Sequence, residues 1–127
     1  MQLTKNFHSD EFKSKDGAET PCEALANLKE LALNLEVLRA ELGKPIHINS
    51  GYRSPEHNKK IGGATKSQHK EGKAGDLKVK RMKPYQVYNI IQRLISEGKM
   101  KEGGLGLYNS FVHYDIRGTK ARWNFAR

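Results

Sequence analysis

Leucine residues recur at spacings of three and four between positions 21 and 42, which is the pattern of an amphipathic helix. Thr20 followed by Pro21 suits the first turn of such a helix, and Gly43 suits its end. Apolar residues return at helical spacing between positions 84 and 97, which predicts a second helix. We expect the first helix to be scaffold rather than part of a site.

Four short stretches alternate apolar and polar side chains, as strands with one buried face do. They cover residues 46–49, 76–80, 104–108 and 111–116, and a tight turn at Asn109 and Ser110 joins the last two. Helices and strands do not alternate regularly, so the sequence predicts an α+β fold with a small, mainly antiparallel sheet and two main helices. Without a repeat or a linker, residues 1–127 are expected to form a single domain.

The stretch between residues 54 and 75 is rich in Gly, Ser, Lys and His and has few apolar side chains. It cannot form a core element by burying apolar surface. Its order must therefore have another source, and a bound metal ion is a good candidate.

The chain carries 23 lysine and arginine residues against 14 acidic ones, a formal net charge of +9. Such an excess favours an anionic partner, either nucleic acid or cell wall. The basic residues are scattered and no nucleic-acid-binding motif organises them, so nucleic acid is not the expected partner. A solvated basic surface and an electrostatic role in holding a polyanionic wall both stay open.

The first eight residues lack the continuous apolar segment of a secretory signal, and no stretch approaches the length of a membrane span. We expect no membrane partner, and synthesis in the cytoplasm without a signal peptide. A substrate outside the membrane would require export by host lysis, by a partner pore or by a leader that this sequence does not include.

Two of the five histidines stand close in sequence to an aspartate. His69 comes seven residues before Asp76, and His113 comes two before Asp115. A catalytic zinc site typically takes three protein ligands and leaves one position for a water molecule whose pKa falls to about 7. Two histidines and one aspartate meet that count. A solvated loop histidine followed by a strand aspartate is the alternative at His69 and Asp76.

Alternation along a strand places His113 and Asp115 on the same face. If His113 binds a metal, Asp115 points into the same pocket. It could then act as a general base, or as an outer acceptor that orients a ligand. A polar pair on the wet face of an edge strand is the remaining alternative.

Five motifs, in this order, resemble those of the zinc D-alanyl-D-alanine carboxypeptidase and L-alanyl-D-glutamate endopeptidase family, which shares its fold with the hedgehog signalling domain. The motifs are Ser50-Gly51-Tyr52-Arg53-Ser54, Gly62-Gly63-Ala64, Ser67-Gln68-His69, Gly72-Lys73-Ala74-Gly75-Asp76 and Phe111-Val112-His113-Tyr114-Asp115. Five ordered motifs are far more specific than any one of them, and the resemblance covers nearly the whole chain.

The resemblance implies one Zn²⁺ per chain, held by His69, Asp76 and His113. It also matches Arg53 to an arginine that polarises the scissile carbonyl and stabilises the oxyanion. The rigid, permanently charged guanidinium suits either that oxyanion or a substrate carboxylate. Ser67 is expected to donate a hydrogen bond to substrate or to act in the outer shell of the metal.

The sequence departs from this family at the general base. Several branches place an acid three residues before the last zinc histidine, where this chain has Ser110. Asp115 is our preferred candidate for the base on the strand-face argument, and Glu102 is a weaker one.

The expected function is that of a zinc metallopeptidase that hydrolyses peptide bonds of bacterial peptidoglycan stem peptides. D,D-carboxypeptidase and L-Ala-D-Glu endopeptidase activity both stay open, and the short basic chain is similar to phage lysins. We expect a monomer that acts at the bacterial cell wall. The alternatives are a non-catalytic, zinc-containing wall-binding module of the same fold and, third, a basic nucleic-acid-binding domain.

Overall fold

Three α-helices and five strands form the structure, a computed structural model that describes residues 1–127. Two 3-10 helices, Ser9–Phe12 and Gln68–Glu71, complete it. The α-helices are α1 (Cys22–Leu42), α2 (Pro55–Lys60) and α3 (Pro84–Ser96). The strands are β1 (His47–Ser50), β2 (Ala74–Lys78), β3 (Gly104–Leu107), β4 (Val112–Asp115) and β5 (Ala121–Asn124).

The strands form one sheet in the order β1-β2-β4-β3-β5. Only the β3–β5 pair is parallel, so the predicted α+β fold with a mainly antiparallel sheet is confirmed. Strand β5 was not predicted, although its four residues, Ala-Arg-Trp-Asn, alternate apolar and polar side chains.

Helix α1 packs its leucine face against the sheet and α3. Four leucines of α1 are fully buried: Leu28, Leu31, Leu35 and Leu38. Burying each leucine contributes roughly 1.5–3 kcal/mol, so this stripe anchors the scaffold. Gly43 ends α1 at a φ of 64°, as predicted, whereas Pro21 occupies the N-cap position and Thr20 makes no cap. None of the helices combines the length and the apolar composition that crossing a membrane requires.

The stretch from 54 to 75 is more regular than its composition predicted, since it contains α2 and the second 3-10 helix. Polar hydrogen bonds organise it. Ser54 caps α2 by accepting from the His57 amide, and the buried Asn58 side chain donates to the Ala64 carbonyl at 2.9 Å. The chain's own polar groups therefore supply part of the order for which a bound metal ion is the candidate source suggested by the sequence.

Candidate metal centre

Three buried side chains meet where β2 and β4 lie beside the second 3-10 helix. The strand register sets Asp76 of β2 directly opposite His113 of β4. His69 lies in the 3-10 helix, and Gly72 ends that helix at a φ of 74°, which returns the chain to β2. A side chain would be strained at this angle. Nitrogen or oxygen atoms of the three residues all lie within 4.8 Å of one another, so the structure brings together the three predicted ligands.

One ring nitrogen of each histidine is held by a hydrogen bond, and the second ring nitrogen faces Asp76. His69 Nδ1 donates to the Gly51 carbonyl at 2.8 Å, and His113 Nε2 donates to the Asp115 carboxylate at 2.6 Å. The remaining nitrogens, Nε2 of His69 and Nδ1 of His113, lie 3.2 Å and 3.3 Å from Asp76 Oδ1. Two nitrogen lone pairs and a carboxylate oxygen thus converge, and a cation satisfies all three. Zinc fits this donor set, and the outer hydrogen bonds are those that metal-binding histidines usually make.

Electrostatics favour the charged form of the carboxylate in this cluster. Burial opposes ionisation of Asp76, but the neighbouring His113 and His69 side chains outweigh it and hold the pKa of Asp76 well below its usual range. Burial likewise disfavours the imidazolium of His113, yet Asp115 and Asp76 together raise the pKa of His113. The raised pKa of His113 reflects negative potential from two carboxylates, which attracts a metal cation, and the lowered pKa of Asp76 keeps that carboxylate ionised as a ligand.

Asp115 lies behind His113 rather than in the open cleft. Its side chain is fully buried and accepts hydrogen bonds from the Gly104 amide and the Arg117 guanidinium as well as from His113. Any side chain at Gly104 would collide with this carboxylate. Burial raises the pKa of Asp115, but the bonds from His113 and Arg117 more than offset it and lower the pKa. Of the two roles that the sequence left open, the geometry favours orienting His113 over proton transfer.

Glu102, the weaker candidate for the base, also lies away from the cleft. Its carboxylate pairs with Arg122 at 2.8 Å and accepts from the Gly103 amide. Among the residues that line the cleft around the ligands, Asp76 is the sole carboxylate. The structure therefore offers no free acid beside the metal ligands.

Arg53 reaches the cleft and is fixed by three acceptors. Its guanidinium donates to Asp76 Oδ2 at 3.3 Å, to Ser50 Oγ at 3.2 Å and to Asn58 Oδ1 at 3.4 Å. Burial lowers the pKa of Arg53 although Asp76 opposes this. Ser67 also lines the cleft, and its hydroxyl accepts from the His69 amide at 3.2 Å, which caps the 3-10 helix. Its hydroxyl hydrogen is left for another acceptor.

Several residues of the site were not predicted from the sequence. Asn58 gave no signal, because an asparagine between basic residues resembles a solvated surface position. Arg117 holds Asp115 through two N–H groups, and its guanidinium carbon lies 5.6 Å from the Trp123 ring centroid. Trp123 in turn packs against His113 with ring centroids 4.9 Å apart. Only the pairing of β5 beside β3 brings Trp123 to the site.

The ligands lie in an open cleft of about 580 Å³. Arg53 and Lys66 contribute positive charge to its lining, and aromatic side chains form one wall. Tyr108 stacks on Phe111 with centroids 4.3 Å apart and accepts a hydrogen bond from Trp123 Nε1. The cleft can therefore admit an extended chain with both apolar and carboxylate groups.

Comparison with known proteins agrees with this geometry. Residues 5–115 match the model of the family described as Peptidase M15. A stretch of 62 residues is 39% identical to the zinc D-Ala-D-Ala carboxypeptidase of Streptomyces albus G. That match covers 48% of this chain and 24% of the Streptomyces enzyme, so the chain spans only a minor part of its relative.

Proposed function

Because the chain belongs to the peptidase M15 family, we propose that it is a zinc metallopeptidase that hydrolyses peptide bonds in the stem peptides of bacterial peptidoglycan. The observation that carries this proposal is the buried His69–Asp76–His113 cluster beside Arg53 in an open cleft. The similar Streptomyces enzyme is a zinc D-Ala-D-Ala carboxypeptidase, which supports both the metal and the substrate class.

His69, Asp76 and His113 would hold the zinc ion, which when bound supplies Lewis-acid activation of water and of a peptide carbonyl. Arg53 has five N–H donors, and three are used by Asp76, Ser50 and Asn58. The others are available to a substrate carbonyl or carboxylate oxygen, and the fixed guanidinium needs little reorganisation to reach it. In this scheme Ser67 donates its free hydroxyl hydrogen to the substrate backbone.

Asp115 acts in this scheme as a positioning residue. Its carboxylate holds the Nε2–H of His113, which keeps Nδ1 available as a ligand. Such outer acceptors raise the basicity of a metal-binding histidine and fix the orientation of its ring. Arg117 keeps the Asp115 carboxylate in place from the other side.

One observation favours a second candidate, a zinc-containing wall-binding module without turnover. Asp76 is the sole carboxylate that lines the cleft, and the position where several relatives carry an acid is the exposed Ser110. Hydrolysis needs a group that takes and delivers protons, and such groups contribute about 10²–10⁴-fold in rate. Zinc binding with wall binding but without product formation would identify this alternative.

We further propose that residues 1–127 work as a single domain at the bacterial cell wall, in the manner of a lysin. Both carboxypeptidase and endopeptidase activity fit an open cleft, because the bond that is cut depends on how much substrate extends beyond the metal. An open cleft suits cleavage inside a chain as well as at its terminus.

The decisive experiment is mass spectrometry of the products from purified peptidoglycan, with and without a chelator. Release of D-alanine would identify a carboxypeptidase, and cleavage between L-alanine and D-glutamate an endopeptidase. The His69→Ala variant is the control for a contaminating peptidase. Intact peptidoglycan after treatment with the zinc-loaded protein would reject the enzymatic proposal.

A further inference from the structure

A second cleft, of about 600 Å³, lies where β1 begins and β2 ends. It shares no lining residue with the metal cleft. Its charged or titratable side chains are all basic, and we call them the basic cleft: Lys44, His47, Lys78, Lys80 and Arg81. No acidic side chain lines it.

The cations of the basic cleft have no partner in the protein. Thirteen ion pairs occur in the structure, and none includes Lys44, Lys78, Lys80 or Arg81. Cations gathered around one concave surface repel each other, and an anion bound between them relieves that repulsion. The cleft is therefore a surface that attracts negative charge from outside the chain.

The backbone at one wall of the basic cleft is strained. The Met82 amide donates to the Val79 carbonyl at 3.2 Å and closes a turn whose third residue is Arg81. Arg81 is the one non-glycine residue with a positive φ, at 66°. Glycine or asparagine is favoured at such an angle, so a basic side chain is held there against the backbone preference.

The basic cleft lies on the same face of the sheet as the ligands Asp76 and His113. Lys78 follows Asp76 by two residues on β2, so both side chains leave the same face, roughly 7 Å apart along the strand. On β1, His47 pairs with Lys78 and Ser50 pairs with Asp76. A polymer bound at the basic cleft would thus lie close to the metal centre.

We propose that the basic cleft binds a phosphodiester-linked anionic polymer of the cell wall and so holds the protein near its peptide substrate. The choice of a wall polymer rests on the proposed function, whereas the preference for a polyanion rests on the unpaired charges alone. Nucleic acid is the less suitable polyanion, because the lining offers no aromatic ring on which a base could stack.

The test compares two variants that lose the same charge. The cleft variant removes three cations of the basic cleft by the substitutions Lys78→Gln, Lys80→Gln and Arg81→Gln. The control variant removes three exposed lysines elsewhere that make no ion pair, by the substitutions Lys5→Gln, Lys15→Gln and Lys29→Gln. All six positions are exposed, so both proteins should keep the melting temperature of the original. The probes are purified sacculi with their phosphodiester polymer and the same sacculi after hydrogen fluoride has removed it.

Sedimentation with polymer-bearing sacculi should show binding that weakens as salt rises. We expect the cleft variant to bind at least about tenfold more weakly, and the control variant to stay within about twofold of the original protein. Equal weakening of both variants would overturn the proposal, and so would unchanged binding to sacculi without the polymer. Tighter, cleft-dependent binding to duplex DNA would reassign the surface to nucleic acid.

Hydrolysis of a short soluble stem peptide separates this proposal from the proposed function. The cleft variant should cleave that peptide at the original rate, because its substitutions lie outside the metal cleft. A protein that cleaves no peptide but binds polymer-bearing sacculi through the basic cleft would reject peptidase activity and support the polymer site.

Discussion

The metal cleft and the basic cleft lie on one sheet face, but charged side chains are paired in the first and unpaired in the second. In the metal cleft, Asp76 contacts Arg53, His69 and His113, while Asp115 contacts His113 and Arg117. In the basic cleft no cation contacts an acid. Shared carboxylates hold the arginine and histidine side chains in place before a ligand arrives, which the proposed catalytic role requires. The cations of the basic cleft have no acidic partner, so their positive charge is available to an anionic ligand.

The largest effect should come from removing a ligand of the metal centre. His69→Ala or His113→Ala should abolish tight zinc binding, since each removes one of only three protein ligands. His47→Ala, an exposed histidine of the basic cleft, is the matched control and should keep one zinc per chain. Metal analysis after dialysis measures the zinc content. Full zinc content in either ligand variant would show that the substituted histidine is not a zinc ligand.

Zinc should also stabilise the fold, because it binds the native cluster and not the unfolded chain. At free zinc about 100 times the Kd, the gain is about 2.7 kcal/mol. The melting temperature of the original protein should therefore fall when zinc is removed, and that of His69→Ala should not. A chelator that leaves the melting temperature of the zinc-loaded original protein unchanged would contradict this expectation.

The next effect concerns the fixed guanidinium. Arg53→Lys keeps the positive charge but cannot satisfy Asp76, Ser50 and Asn58 together, so kcat/KM for a soluble stem peptide should fall by about a hundredfold or more. Zinc content should stay at one per chain. Arg81→Lys in the basic cleft is the control and should leave this rate unchanged. Near-original activity in Arg53→Lys would remove Arg53 from the reaction.

Asp115→Asn sharpens the distinction between positioning and proton transfer. If the carboxylate orients His113, as the 2.6 Å hydrogen bond indicates, zinc affinity should fall about 10- to 100-fold, and activity should return in excess zinc. If Asp115 is instead the base, zinc affinity should be normal while hydrolysis falls about 10²- to 10⁴-fold. Titration with a fluorescent zinc chelator, combined with rates at two zinc concentrations, separates the two outcomes.

The smallest effect should come from Asp16, which holds the N-terminal loop against Ser54. Its carboxylate accepts from Ser14 Oγ at 2.7 Å and from Ser54 Oγ at 2.5 Å. Ser54 is the residue that follows Arg53. The Ser54 and Ser14 hydroxyls lower the pKa of Asp16 from 3.8 to about 2. A lowered pKa in the folded state means that the ionised form adds stability above the unfolded value, and that this stability is lost as pH falls through the folded value.

Asp16→Asn should accordingly lower the melting temperature of the zinc-free protein by a few degrees at pH 7. The difference from the original protein should shrink as pH falls from 3.8 towards about 2. Thermal unfolding in the presence of chelator measures it, because histidine protonation then cannot act through the metal. A difference that stays constant over this range would show that the Asp16 charge contributes no stability.

The sequence by itself determined the elements whose periodicity is local. Leucine spacing predicted α1 and its end at Gly43, and alternation predicted β1 to β4 within a few residues. Residue chemistry and the ordered motifs also predicted the ligand set of His69, Asp76 and His113, which the fold brings together. The helices and strands depend on neighbours within a few positions, whereas the ligand set depends on motifs far apart in the chain that resemble those of a known family.

Only the tertiary structure decided which charges are compensated. Asp76 and His113 are 37 residues apart, and their pairing follows from strand register. Strand β5 sets Trp123 beside His113 through its parallel pairing with β3, and the alternation of its four residues does not specify that partner. Asp115 and Lys78 both follow a metal ligand by two residues on a strand, yet one is fully buried against Arg117 and the other is exposed without a partner. Coulombic pairing depends on distances in space, and a sequence fixes those only through the complete fold.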